Sequence, residues 1–178
     1  MMWISAVVAQ ESTPAESYDV HEAYQVYSVL LPHEESSGVA KSTLVIQQDT
    51  VPQRVSGACL TVEATNKFKD AIADFEHVNS KRWLLQRHFQ IERRYELVRE
   101  YTIRRLFKGP GEWDGFHKRY PGSVAYVTMS AVGFNKEKTQ AIVCIGCSCG
   151  ALCGRWSFHL MEKLDGKWQE VPGVQCMP

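Results

Sequence analysis

Four of the six cysteines fall within ten residues, at Cys144, Cys147, Cys149 and Cys153. This is the one stretch dense enough in reactive side chains to suggest chemistry. Taken together the four give a C-x2-C-x-C-x3-C spacing, and four thiolates suit zinc or an iron–sulfur cluster. The second, separated C-x2-C knuckle usual in structural zinc sites is missing. A continuous strand also aims Cys144 and Cys147 at opposite faces, because side chains alternate along it. Convergence of all four therefore requires a bulge at Gly146. His159 and Met161, on the strand expected next, are the added soft ligands that copper(I) would use. A redox reading pairs Cys144 with Cys147, or Cys147 with Cys149. Lowering a thiol pKa takes a helix N-terminus or a cation, and only Arg155 is near in sequence. A cysteine nucleophile served by His117 or His159 is a further option, without a G-x-S-x-G elbow to support it.

The structural alternative needs only Cys149 and Cys153. They bracket a three-residue turn with glycine at 150 and 154, where positive φ is accessible. A turn brings Cα atoms within the roughly 4.4–6.8 Å that a disulfide spans. Cys59, Cys144, Cys147 and Cys176 remain. Cys59 with Cys176 is one candidate pair, tying the tail to the body, and other pairings stay open.

Outside the cysteines the candidates are weaker. Trp113, Trp156, Phe158 and Trp168 are possible walls of a ligand pocket inside a curved sheet, or ordinary packing residues. Residues 81–108 hold nine Lys or Arg against three Glu and interleave them with aromatics. That composition fits an anion-binding face, but Glu92, Glu96 and Glu100 recur every four residues, which fits a salt-bridged surface better. The histidines show no H-E-x-x-H spacing, and no phosphate-binding glycine loop occurs.

These residues must be positioned by a chain of 178 residues, ordinarily one domain. Twenty basic and twenty acidic side chains cancel, so the molecule as a whole carries no bias toward nucleic acid or anionic membrane. No nucleic-acid partner is expected, and no run of about 18 apolar residues marks a transmembrane segment.

The periodicity predicts a helix over 19–31, with Ala23, Val26, Tyr27, Leu30 and Leu31 on one face and Asp19 with Glu22 as a capping box. A strand is expected over 42–51 and a short extended piece over 59–62. A second helix is expected, capped by Thr65 or Asn66, with Phe68, Ala71, Ile72 and Phe75 inward. Residues 81–98 read as extended, followed by a helix over 99–107 that Gly109-Pro110-Gly111 ends. One long basic helix is the alternative. Trp113, Phe116 and Tyr120 stand at helical spacing. Strands follow over 124–132, 140–147 and 155–163, and Asp165-Gly166 is a two-residue hairpin signal leading into 167–171. The expected fold class is α+β: an antiparallel C-terminal meander with the N-terminal and central helices on one face of it.

Residues 1–9 are apolar apart from one serine, and Val7-Val8-Ala9 places small residues as a signal-peptidase site does. Residues 1–17 are accordingly expected to be a signal-peptide remnant or flexible tail, with a single α+β domain over 18–178. The even cysteine count points the same way, to an oxidising compartment. If the leader is not functional, the protein would instead be cytoplasmic.

Tyr120-Pro121-Gly122-Ser123, Val132-Gly133-Phe134-Asn135, Cys149-Gly150 with Leu152-Cys153-Gly154, and Asp165-Gly166-Lys167-Trp168 together resemble a set of bacterial proteins that often carry export signals and have no established function. The resemblance covers roughly residues 112–171. It implies a periplasmic or extracellular protein in which Cys149 and Cys153 are the shared pair and Cys144 and Cys147 are extra. The closing hairpin is also common in cystatin-like and NTF2-like cone folds, an analogy of fold alone.

The function expected from all this is a non-catalytic exported domain that binds a protein or small-molecule partner, stapled at Cys149–Cys153 and needing no cofactor. The alternative is a zinc- or copper-binding or thiol-redox protein that uses the 144–153 cluster.

Overall fold

The computed structural model describes residues 15–31, 43–56, 58–108 and 112–176. The leader-like start and the Gly109-Pro110-Gly111 stop lie outside the described residues.

The fold is α+β, and its sheet is mixed. In chain order the elements are β1 (Glu16–Tyr18), α1 (His21–Leu30), β2 (Leu44–Gln47), α2 (Val62–Lys67), α3 (Lys69–Val78), β3 (Trp83–Leu85), β4 (Tyr95–Val98), α4 (Glu100–Leu106), α5 (Glu112–Arg119), β5 (Tyr126–Met129), β6 (Gly133–Phe134), β7 (Gln140–Gly150), β8 (Cys153–Leu164) and β9 (Lys167–Val171). The main sheet runs β4-β2-β5-β7-β8-β9, and β6 also pairs with β7. The expected meander is the β5-β7-β8-β9 part, which is antiparallel throughout. Beyond it β2 pairs in parallel with both β5 and β4. A separate parallel pair joins β1 to β3, so strand structure begins at Glu16, two residues before the expected domain start.

Helices cover both faces of the sheet, where the sequence suggested one. Alternation along β7 divides it cleanly. Ala141, Val143 and Ile145 join Leu44, Ile46, Val127, Met129 and Met161 beneath the buried face of α1. Ile142 and Cys144 point the other way, joining Phe158 and Leu160 beneath Ala64, Phe68, Ala71 and Phe75 of the α2–α3 segment. Farther along that second face, Val45 and Val98 pack with Ile103 of α4 and Phe116 of α5. Strands apolar on both faces mark a sheet covered on both sides, and Ala141 to Ile145 form such a run.

The capping residues differ from expectation, and contacts distant in sequence explain why. Val20, not Asp19, is the N-cap of α1. Asp19 accepts from the Ser17 hydroxyl (2.9 Å), and Glu22 accepts from Lys163 Nζ (3.0 Å) and Trp168 Nε1 (3.2 Å). The carboxylate that would have closed a capping box thus joins α1 to the β8–β9 hairpin. Thr61 caps α2 by accepting from the Ala64 N–H (3.1 Å). Thr65 and Asn66 lie inside that helix.

Three tyrosines tie the α1 face together. Tyr27 donates to Ser130 O (2.6 Å) and Tyr24 to Tyr18 O (2.7 Å). The Tyr18 hydroxyl accepts from the Val132 N–H (3.0 Å). Burial pushes all three hydroxyls up from the ordinary tyrosine pKa, that of Tyr24 to about 12.

The basic stretch is extended and then helical, as its alternation suggests, and its arginines are partly paired. Glu100 meets both Arg82 and Arg104. Asp49, largely buried, accepts from Arg99 Nε (3.1 Å) and from the Glu100 N–H (2.8 Å) at the start of α4. No helix among the described residues is long and apolar enough to cross a membrane.

Candidate functional site

The cysteine stretch forms the far end of the longest hairpin, where β7 turns into β8. Cys149 and Cys153 are disulfide-bonded across the turn, with Cα atoms 5.0 Å apart. Cys59 and Cys176 form a second disulfide, Cα atoms 4.4 Å apart and 117 residues apart in sequence. That second bond lies beside the Leu60–Val174 bridge and fastens the C-terminal segment to the start of α2.

Cys144 and Cys147 belong to neither disulfide, and both are buried. The ladder sets Cys144 opposite Phe158, under α3, and Cys147 opposite Arg155 and Val127, on the α1 face. The irregularity in β7 falls between Ser148 and Gly150, past both of them. A bulge at Gly146 would have been needed to turn the two sulfurs together. With Cys149 and Cys153 bonded to each other and the remaining pair on opposite faces, four thiolates do not converge. No group of three or more His, Cys, Asp or Glu side chains among the described residues is placed to hold a metal ion. His159 shares a face with Cys147 but sits four residues along β8 from its cross-strand position, about 13 Å at the rise of a strand.

The aromatic pocket is not assembled. Trp113 packs with Phe107, Phe116 and Tyr126. Trp156 meets Phe158 edge-on and is 41% exposed. Trp168 lies on the opposite face, against Phe134. A cleft of about 330 Å³ opens instead beside α2, between Lys67, Phe68 and Pro172, and none of those four residues lines it. Lys67 is engaged there by Glu162 (2.9 Å).

The structure brings together one group that spacing alone did not single out. On the α1 face of β8 the Ser157 hydroxyl is 2.8 Å from His159 Nε2. His159 Nδ1 is 2.7 Å from Glu170 Oε1 on β9. Ser157 and His159 are two apart on one strand and so share a face. Glu170 stands opposite Met161 and reaches His159 diagonally. Half of the Glu170 side chain is exposed, whereas His159 is largely buried. A carboxylate only accepts, so a neutral imidazole facing it at Nδ1 carries its proton there and leaves Nε2 to accept from the serine. The signal in the sequence was Ser157-x-His159 on an alternating strand. Without the β8–β9 register nothing pointed to Glu170.

This group sits where β8 outruns its neighbour. β9 pairs only with Leu160 to Leu164, whereas β7 follows β8 down to Cys153. The Lys163 N–H donates to Thr139 O on the β7 side. By alternation, the main-chain groups of Gly154 and Trp156 face away from β7, where no strand among the described residues pairs with them. Leu152, fully exposed, tops the turn.

Compared with protein-family models, curated proteins and solved structures, the chain matches none.

Proposed function

We propose that the chain is an exported domain of an oxidising compartment, that it works by binding a partner, and that the disulfide-closed end of the β7–β8 hairpin is its contact surface. The observation that carries this reading is the stretch of β8 beyond β9, whose outward edge no strand among the described residues pairs with, held in shape by the Cys149–Cys153 bond and flanked by exposed Leu152 and Trp156. An open strand edge is a template for an extended segment of another chain, which adds main-chain hydrogen bonds along it. The export reading draws on the leader-like start, the motif resemblance and two disulfides in one domain.

Two measurements test it. Peptide mapping under non-reducing conditions, on protein recovered from an oxidising compartment, should find 149–153 and 59–176 bonded. Thiols at Cys149 and Cys153 in that material would remove the staple. A photo-crosslinking residue at position 152 should capture a partner in the cell envelope, and the same residue at position 101, on exposed α4, should not. Equal capture from both positions defeats the assignment of the surface.

A further inference from the structure

We propose that Ser157 is a nucleophilic serine, served by His159 as general base and by Glu170 as its positioning residue, and that the site acts on carboxylic esters. Two hydrogen bonds run in the order that activation requires. The hydroxyl meets Nε2 at 2.8 Å, and Nδ1 meets a carboxylate at 2.7 Å. The carboxylate fixes the tautomer in which Nε2 is free of its own proton, and it stabilises the imidazolium formed when Nε2 takes one. This arrangement of roles, not sequence order or fold, defines such a site. Ser157 is partly exposed and lies on the stretch of β8 that β9 leaves open. By the alternation of the ladder the Trp156 N–H, next to it, faces away from β7, and it is the donor we assign to a developing oxyanion.

The steps balance with water as the only co-reactant. Ser157 Oγ bonds to the ester carbonyl carbon as its proton passes to His159 Nε2. The tetrahedral species collapses by breaking the bond to the alkoxy oxygen, which leaves as an alcohol with the proton from Nε2. Water then adds to the acyl carbon and gives its proton to Nε2. The Oγ–carbon bond breaks, Oγ recovers that proton, and a carboxylic acid leaves. Glu170 remains a carboxylate throughout.

The test uses the full chain and a fluorophosphonate probe, which traps nucleophilic serines. Intact mass and peptide mapping should show one adduct, on Ser157, and Ser157→Ala should lose it. His159→Gln should slow labelling by about 100-fold, the lower end of what a general base contributes. Glu170→Gln should slow it as well, and Glu170→Asp should restore most of the rate, a rescue that a merely structural role would not give. Thermal melting and disulfide mapping confirm that each variant is folded. Should Ser157→Ala fail to fold, the His159 and Glu170 variants decide the matter. Absence of a Ser157 adduct on the folded wild-type chain overturns the proposal, as does labelling indifferent to His159→Gln. Neither result bears on the partner-binding reading, which rests on the crosslinks from position 152.

Discussion

The two disulfides close very different parts of the same sheet. At the hairpin end the bonded residues are four apart and the surroundings are exposed. At the body, Cys59 and Cys176 are 117 apart and belong to the apolar cluster of α2, α3, Ile142, Phe158 and Leu160. A cross-link stabilises chiefly by removing freedom from the unfolded chain, and its effect grows with the loop it closes. The bond at the body therefore governs whether the domain holds together. The bond at the hairpin end governs only the shape of an exposed turn. A cysteine cluster that dominates the sequence thus contributes less to stability than two cysteines that nothing nearby makes conspicuous.

The largest expected effect comes from breaking the body disulfide. Cys59→Ser with Cys176→Ser should cost about 5 kcal/mol by loop entropy, read as a drop in the urea midpoint. Limited proteolysis should then cut near Val174, because the Leu60–Val174 bridge loses its support. A loss no greater than that from opening the hairpin disulfide would erase the distinction between the two regions.

Next comes alkaline pH, which acts on the body and not on the hairpin end. Tyr18, Tyr24 and Tyr27 all have folded pKa values above the unfolded value near 10. Their contribution is complete below pH 10 and is lost as pH rises from there through the folded values, because the unfolded chain ionises first. By pH 11 the loss from Tyr24, whose hydroxyl is pushed up to about 12, should be about 1 kcal/mol, and Tyr18 and Tyr27 should add to it in the same direction. Denaturant titrations at pH 8 and pH 11 should show it, and Tyr27→Phe should flatten the slope. A stability independent of pH over that interval would contradict the burial of these hydroxyls.

The contrast between the regions also explains what was legible in the sequence. Local patterns were enough for the buried face of α1, the extended-then-helical course of 81–107, the Asp165-Gly166 hairpin and the 149–153 turn, each set by neighbours within a few residues. The parallel β2–β5 and β2–β4 pairs were not legible, because parallel register is fixed by crossovers and not by the strand's own pattern. Capping failed as a guide at Asp19, since Glu22 is taken by Lys163 and Trp168, far along the chain. Gly133 is similar. In the sequence it is one glycine among twelve, yet an added Cβ there would run into the main chain of Ala71 and Phe75, where α3 presses on β6. The Ser157–His159–Glu170 group needed the β8–β9 register before its third member had a place.

A smaller effect is expected from opening the hairpin bond itself. Cys149→Ser with Cys153→Ser should cost about 2 kcal/mol at most, since the ring is short. Amide exchange should quicken over 148–156 and stay unchanged in α1 and α3. Exchange that spreads into those helices would mean that the hairpin end supports the body after all.

The smallest effect comes from Leu152, and it separates shape from stability most sharply. Its side chain is fully exposed at the top of the turn and belongs to none of the three buried clusters. Leu152→Ser removes an apolar group from water without opening a cavity, so the melting midpoint should shift by less than about 0.5 kcal/mol in free-energy terms. The disulfide should still form, because no residue of the turn sits at positive φ and the Cys149–Cys153 bond does not involve the Leu152 side chain. If stability does fall measurably, Leu152 is covered in solution, and the covering group must be another chain or residues outside those described. A concentration series distinguishes the two, since only a second chain makes the midpoint depend on protein concentration. Either outcome says whether the hairpin end, so lightly tied to the body's stability, is kept for a contact it makes elsewhere.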